Sequence, residues 1–205
     1  MRAFILSYIV LCLSAASSFA QPSQSAQHAT VPSAKNILNE AFQQAKTQHK
    51  NVIIIFHASW CGWCHKMDTA LADPSIRRFF EDNYVIRHLD VQEQDAKKYL
   101  ENDGADKLLA EYKGDKQGIP FFLVFNKEGR LLADSKMRKP GAGPDDSDNT
   151  GCPAHKDEVE YFISILKKTS ALKAEQLALI YTRFRENDPK YTHQDAYNPT
   201  ASPGR

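Results

Sequence analysis

The sequence predicts an α/β fold in which a central mixed sheet is flanked by helices and followed by a C-terminal helical extension. Between residues 34 and 170, segments with strand character alternate with segments whose apolar residues recur at helical spacing. The last two strand segments are separated only by a short turn, which predicts an antiparallel hairpin at one side of the sheet. Helix-connected strands and a hairpin together indicate a mixed sheet.

The chain begins with a segment typical of a signal peptide. Residues 1–20 contain Arg2, a short apolar run and small residues at a cleavage site before Gln21. This run is shorter than the roughly 20 residues that cross a membrane. We therefore expect cleavage after Ala20 and export to the periplasm or another extracytoplasmic compartment, with residues 21–33 as a linker.

The first half of the predicted domain centres on a buried strand. Ser33 is expected to cap the first helix, and residues 52–56 are a continuous β-branched and aromatic run, as in a strand buried on both faces. Cys61 then falls at the start of the next helix. After this helix we expect another, capped by Asp73 with Pro74 in its first position.

The second half supplies the remaining strands and helices. Residues 84–91 predict a strand, 94–112 a helix, a loop and a helix, and 121–134 the hairpin. A loop rich in Gly, Pro and Asp precedes an amphipathic helix that ends the domain near residue 170. Residues 171–187 predict the helical extension, and 188–205, with little apolar content, a disordered tail.

Charge and cysteine content restrict the function. The formal charge of the 205-residue chain is +1, and removing the signal peptide takes away Arg2 and no acid. A neutral mature chain favours neither nucleic acid nor an anionic membrane as a partner. Three cysteines remain after cleavage, and an odd number in an exported protein indicates reactive thiols rather than a disulfide scaffold: Cys61, Cys64 and Cys152.

The stretch CGWCH, residues 61–65, has two interpretations. C-x-x-C-H attaches haem in some proteins, with His65 as the iron ligand, and C-x-x-C is a redox dithiol in others. The haem interpretation requires a mainly helical domain, whereas this motif follows a β-branched strand. Met67 is also too close to His65 in sequence to bind the opposite side of one iron easily. These observations favour the dithiol.

The chain resembles the thioredoxin superfamily over residues 34–170. The resemblance rests on an apolar strand that leads into WCGWC, on the helix that follows, and on the tripeptide GIP, residues 118–120, before the hairpin. It is closest to exported thioredoxin-like proteins with a long central insertion. It implies a thioredoxin-like fold and a thiol–disulfide oxidoreductase that needs no dissociable cofactor and acts on protein thiols and disulfides with an unidentified redox partner.

The resemblance also implies roles for individual residues. Cys61 would be the nucleophile, favoured as a thiolate by the helix N-terminus, and Cys64 would be the resolving thiol. Trp60 matches the tryptophan that walls the active surface. Pro120 matches the cis-proline of the family, which turns the backbone of Ile119 toward a substrate strand.

Two departures from the family affect this interpretation. The buried acid of thioredoxins aligns with Ile55, and its lysine partner aligns near Ile86, so Cys64 lacks the usual base. His57 is a candidate replacement for that base.

A loop near the C-terminal end of the domain is the second departure. Gly151 matches the glycine of the family's substrate-contacting loop, and the next residue, Cys152, is a possible third thiol with a redox, binding or packing role. With Cys61, Cys64 and His155 it could also ligate Zn²⁺ or another soft ion. The alternative function is therefore a non-turnover module that binds peptide or metal. Our primary expectation is that the protein binds no metal.

Overall fold

The computed structural model describes residues 31–138, 147–192 and 197. The predicted signal peptide, most of the linker and most of the predicted tail lie outside the described residues. Where the tail is described, it contacts the C-terminal extension: Asp188 is buried beside Arg185, and the ring of Tyr197 lies 4.9 Å from that of Tyr181. The domain boundaries and the disorder of the remaining tail stay predictions.

A mixed sheet forms the centre of the described fold. Its strands are β1 (Asn51–His57), β2 (Tyr84–Asp90), β3 (Phe121–Phe125) and β4 (Leu131–Asp134). Their spatial order is β2, β1, β3, β4. Strand β1 pairs with β2 in parallel, and β1 with β3 and β3 with β4 are antiparallel pairs. The predicted α/β fold with a central mixed sheet is confirmed.

Helices cover both faces of this sheet. The element bounds are α1 (Ala34–Gln48), α2 (Gly62–Leu71), α3 (Arg77–Asn83), α4 (Ala105–Glu111), α5 (Lys156–Thr169) and α6 (Ala174–Arg185), with a 3-10 helix at Asp95–Leu100. The side chain of Ser33 caps α1 by accepting a hydrogen bond from the Asn36 N–H, as the sequence predicts. No helix among the described residues is both long and apolar enough to cross a membrane.

The alternation of side chains in β1 builds two cores. Ile53 and Ile55 face one core with residues of α2, α3, α5 and α6, and Ile54 and Phe56 face the other with residues of α1 and α4. Successive side chains of a strand point to opposite faces, so an uninterrupted apolar run is needed where both faces are covered. This explains why residues 52–56 lack polar positions.

Two local expectations were wrong. Helix α3 begins at Arg77 after a turn, without a side-chain cap, because the Asp73 carboxylate accepts hydrogen bonds from the N–H and hydroxyl of Ser75 instead. The loop expected before α5 contains a two-stranded antiparallel sheet, formed by β5 (Lys136–Arg138) and β6 (Ser147–Asn149). These strands have three residues each and are polar except for Met137, so no apolar alternation marks them in the sequence.

Candidate active site

A disulfide between Cys61 and Cys64 lies at the N-terminus of α2. Cys61 is the N-cap residue, and its Sγ accepts a hydrogen bond of 3.1 Å from the backbone N–H of Cys64. Both residues are buried, Cys61 with 4% and Cys64 with 1% of their surface exposed. The first N–H groups of a helix have no partner within the helix, and the helix dipole is positive at this end. A thiolate at Cys61 would therefore be stabilised by the backbone of α2.

The turn between β1 and α2 is held from two sides. The N–H of Cys61 donates to the carbonyl of Ala58 at 3.0 Å, which closes the turn after β1. The indole N–H of Trp60 donates to the carbonyl of Gln92 at 2.8 Å, and the hydroxyl of Ser59 donates to the carboxylate of Glu93 at 2.9 Å. The segment that follows β2 thus fixes the position of the dithiol. Half of the Trp60 surface stays exposed beside it.

The segment before β3 lies against the disulfide. The carbonyl oxygen of Ile119 is 3.6 Å from Cys61 Sγ, and the Ile119–Pro120 peptide bond is cis. The side-chain amide of Asn149, on β6, donates to the carbonyls of Gly118 at 3.0 Å and Pro120 at 2.9 Å. The small β5–β6 sheet therefore positions the backbone that faces the dithiol.

A groove of 310 Å³ opens beside this backbone. Its walls come from the start of α2, from the segment before β3 and from the loop before α5, and include Trp63, Ile119, Pro120, Asn149, Gly151 and Cys152. The indole of Trp63 is about half exposed, and the ammonium of Lys66 lies 4.2 Å from its ring centre. The groove has the apolar wall and backbone edge that an extended peptide segment needs.

Gly151 and Cys152 form the far side of the groove. Gly151 has a φ of +57°, and a Cβ at this position would lie 3.8 Å from Pro120. Cys152 is a free, buried cysteine whose Sγ accepts a hydrogen bond of 3.4 Å from the Asn187 amide. Burial raises the pKa of the Cys152 thiol to about 12. A thiol so rarely ionised at neutral pH is a poor nucleophile. Among the redox, binding and packing roles considered for Cys152, the packing role is therefore favoured.

Comparison with known proteins identifies the domain. Residues 33–127 match the family model described as thioredoxin-like. These residues have a thioredoxin-like fold. The recognition made from the sequence is confirmed over this range. A search of curated proteins gave no significant match.

Several solved structures are similar to this chain. The disulphide isomerase from Xylella fastidiosa Temecula1 is 23% identical, with 53% of this chain and 75% of that chain covered and a TM-score of 0.41. The DsbH oxidoreductase is 24% identical over 72% of this chain and 92% of that chain, with a TM-score of 0.40. The C-terminal domain of Neisseria meningitidis DsbD is 21% identical over 52% of this chain and 84% of that chain, with a TM-score of 0.37.

The C-terminal extension of the thioredoxin-like domain packs against the groove. The amide of Asn187 donates to the Pro153 carbonyl at 3.3 Å, and the guanidinium of Arg185 donates to the Ala154 carbonyl. Lys66, on α2, donates to the backbone carbonyl of Asn187 at 3.3 Å. The extension thus connects the loop at the far side of the groove with the helix that begins at the dithiol.

The strand register corrects one alignment. Ile86 pairs with Ile53, whereas the residue of β2 opposite Ile55 is His88. The Nε2 of His88 lies 2.8 Å from Oδ1 of Asp68, one helical turn beyond Cys64 on α2. A polar pair, His88 and Asp68, therefore lies beside the apolar Ile55. The sequence predicts only apolar residues, Ile55 and Ile86, at this position in the sheet.

His57, the candidate base, is also paired with a carboxylate. Its Nε2 lies 3.2 Å from Oδ1 of Asp90, and its ring centre lies 4.7 Å from that of His88. Burial lowers the pKa of His57, but the hydrogen bond with Asp90 and the charges of Asp90, Asp68 and Glu93 outweigh burial, so the net pKa is raised. A role of His57 as proton acceptor stays a prediction.

Sequence reasoning missed three residues of the groove region. Trp63 lines the groove, whereas Trp60 is not among the residues that line it. Asn149 and Asn187 hold the two backbone segments that face each other across the groove. Of these three residues, only Trp63 could have been predicted from its neighbours in sequence, since it lies in the first turn of the helix that begins after Cys61. Both asparagines act through contacts with residues at least 29 positions away.

Proposed function

We propose that this protein is an exported thiol–disulfide oxidoreductase that exchanges disulfides with protein substrates through Cys61 and Cys64. One observation supports the proposal most directly. The Cys61–Cys64 disulfide lies at the N-terminus of α2, and Cys61 Sγ is 3.6 Å from the backbone carbonyl oxygen of Ile119, a residue that lines the groove. A reactive dithiol and a place for a substrate backbone are therefore adjacent.

The exchange proceeds in two balanced steps. In the reduced protein, the Cys61 thiolate attacks one sulfur of a substrate disulfide, which forms a mixed disulfide and releases one substrate thiolate. The Cys64 thiolate then attacks Cys61 Sγ, which restores the Cys61–Cys64 disulfide and releases the second substrate thiolate. Two electrons pass from the dithiol to the substrate, and the reverse sequence oxidises a substrate dithiol.

The groove supplies the substrate platform. The backbone of Ile119 pairs with an extended substrate segment, and the cis-proline Pro120, which lacks an N–H, closes the adjacent position. Gly151 forms the opposite side without a side chain that would narrow the groove. Trp60 and Trp63, which are each about half exposed, present apolar surface beside the dithiol. No cofactor takes part, because the two thiols carry the electrons.

The decisive experiment is a glutathione equilibration. Full-length protein with Cys152→Ser is incubated at a series of reduced to oxidised glutathione ratios, quenched with acid and alkylated, and the mass of the intact chain is measured. We expect a reversible two-electron couple between about −270 and −120 mV, the range of related oxidoreductases. The absence of a reversible couple would instead support the peptide- or metal-binding module.

Trapping tests the roles of the two cysteines. The Cys64→Ser variant should accumulate mixed disulfides with exported proteins through Cys61, because the second step is blocked. The matched Cys61→Ser variant should accumulate none. Recovery of the wild-type protein from the extracytoplasmic fraction, with an intact mass that begins at Gln21, tests export and cleavage. A retained Met1 would contradict the signal-peptide prediction.

A further inference from the structure

Two histidines and an aspartate come together at one edge of the sheet, apart from the groove. His57 ends β1, His88 lies on β2, and Asp68 reaches them from α2. One ligand atom from each of these three side chains lies within 4.8 Å of the others. The three side chains come from three different elements, so the tertiary fold rather than sequence proximity assembles the cluster.

The spacing of the cluster resembles that of a metal site. Two ligands bound at about 2.0–2.1 Å to a tetrahedral Zn²⁺ are about 3.3 Å apart. His88 Nε2 is 2.8 Å from Asp68 Oδ1, and His57 Nε2 is 3.2 Å from Asp90 Oδ1. A cation bound by one atom from each of His57, His88 and Asp68 would draw these atoms from within 4.8 Å of one another to about 3.3 Å through side-chain movements.

The charge and accessibility of the cluster also suit a cation. With both imidazoles neutral, Asp68 and Asp90 leave two negative charges. Within residues 31–138 and 147–192, no lysine or arginine forms an ion pair with either carboxylate. His88 and Asp68 line a surface cleft of 360 Å³ that shares no residue with the groove beside the dithiol. A hydrated ion can reach His88 and Asp68, two of the three proposed ligands, from this cleft.

We propose that His57, His88 and Asp68 bind a divalent cation of the zinc type. Two imidazole nitrogens and a carboxylate oxygen form a donor set that Zn²⁺ favours, whereas Mg²⁺ and Ca²⁺ favour oxygen ligands alone. The site differs from the set of Cys61, Cys64, Cys152 and His155 considered from the sequence. In the oxidised protein two of those four sulfur and nitrogen donors are unavailable, because they form the disulfide. The site does not depend on thiol exchange.

Calorimetric titration of the oxidised, full-length protein with Zn²⁺ tests the proposal. We expect about one Zn²⁺ per chain at micromolar metal. The affinity for Zn²⁺ should fall at least about tenfold in His88→Gln and in Asp68→Asn, because even residues that only support metal ligands typically cost about this much affinity when they are replaced. The matched control is His155→Gln, which should bind as the wild type does. Circular dichroism and intact mass check that each variant is folded and oxidised.

A protection experiment on the wild-type protein avoids reliance on the variants. Diethylpyrocarbonate modifies accessible histidines, and the modified positions are mapped by mass spectrometry with and without Zn²⁺. We expect Zn²⁺ to protect His57 and His88, while His155 reacts equally in both samples. The proposal is overturned if the wild type takes up no Zn²⁺, if His155→Gln alone abolishes uptake, or if Zn²⁺ protects neither His57 nor His88.

Discussion

Asn187 holds the loop at the far side of the groove through its side-chain amide, which donates to the Pro153 carbonyl at 3.3 Å and to Cys152 Sγ at 3.4 Å. Asn187 itself is buried. The C-terminal extension therefore contributes directly to the wall that faces the dithiol. This contact joins residues 34 positions apart in the chain, and its loss should affect both stability and the environment of Cys152.

Replacing Asn187 with Ala should lower the free energy of unfolding by about 1–2 kcal/mol. The substitution leaves a buried carbonyl oxygen without its donor, and such groups cost about 1–3 kcal/mol. Chemical denaturation measures the change. Asn39→Ala is the matched control, because Asn39 is exposed on α1 and should change stability little. Equal effects of the two substitutions would contradict the role assigned to Asn187.

Cys152 should resist alkylation in the native, oxidised protein. Its pKa is raised to about 12 by burial, so only a small fraction is thiolate at pH 8. We expect the rate of iodoacetamide labelling, followed by mass spectrometry, to keep rising with pH beyond about 9, where an ordinary cysteine is already ionised. Labelling in denaturant should be fast at pH 8 and serves as the control. Fast native labelling with a plateau near pH 9 would show that the thiol is accessible.

The same pKa gives a stability prediction in alkaline solution. The folded protein favours the neutral thiol, so the folded pKa lies above the value of 9.0 for an unperturbed cysteine. The stability that the buried thiol provides is complete below this value and is lost as the pH rises toward about 12. Chemical denaturation at several pH values should therefore show a smaller alkaline loss of stability for Cys152→Ala than for the wild type. A parallel pH dependence of the two proteins would contradict the assignment.

Local sequence patterns predicted most of the fold and the dithiol. The run 52–56 and the position of Cys61 after it are set by neighbours in sequence, so periodicity and capping rules apply to them. The register of β2 is not local. Whether Ile86 or His88 lies opposite Ile55 depends on how two strands align whose paired residues are 33 positions apart in the chain, as Ile55 and His88 are. Side-chain patterns within one strand do not determine this alignment. The histidine cluster therefore appeared only in the structure.

Gly151→Ala should destabilise the protein by about 1 kcal/mol. The φ of +57° at Gly151 is unfavourable for a residue with a Cβ, although the nearest atoms, 3.8 Å away on Pro120, leave room for the methyl group. The matched control is Gly62→Ala. Gly62 begins α2 without a positive φ, and a Cβ there has no atom within 4 Å, so Ala should be neutral or stabilising. Chemical denaturation distinguishes the two. Similar free energies of unfolding for both variants would contradict the strain argument.

The carboxylate of Asp73 should make stability depend on acidic pH. Hydrogen bonds from the hydroxyl and backbone N–H of Ser75, followed by the guanidinium of Arg183 on α6, lower the pKa of Asp73 to about 2. Because the folded pKa lies below the ordinary value of 3.8, the resulting stability is present above about pH 4 and is lost as the pH falls toward 2. The difference in unfolding free energy between the wild type and Asp73→Asn should therefore be constant from neutral pH to about pH 5 and shrink below that.

Asp82→Asn provides the comparison for this measurement. Asp82 forms only an exposed ion pair with Arg78 at 4.0 Å, and exposed pairs contribute little. Its removal should leave the acidic part of the stability profile unchanged, whereas Asp73→Asn should flatten it. Because the hydrogen bonds from Ser75 lower the pKa of Asp73 more than Arg183 does, the Asp73 result mainly measures the turn before α3, and the ion pair with Arg183 on α6 adds to it. If both variants follow the wild-type profile between pH 5 and 2, the hydrogen bonds and the ion pair of Asp73 do not stabilise the folded protein in solution.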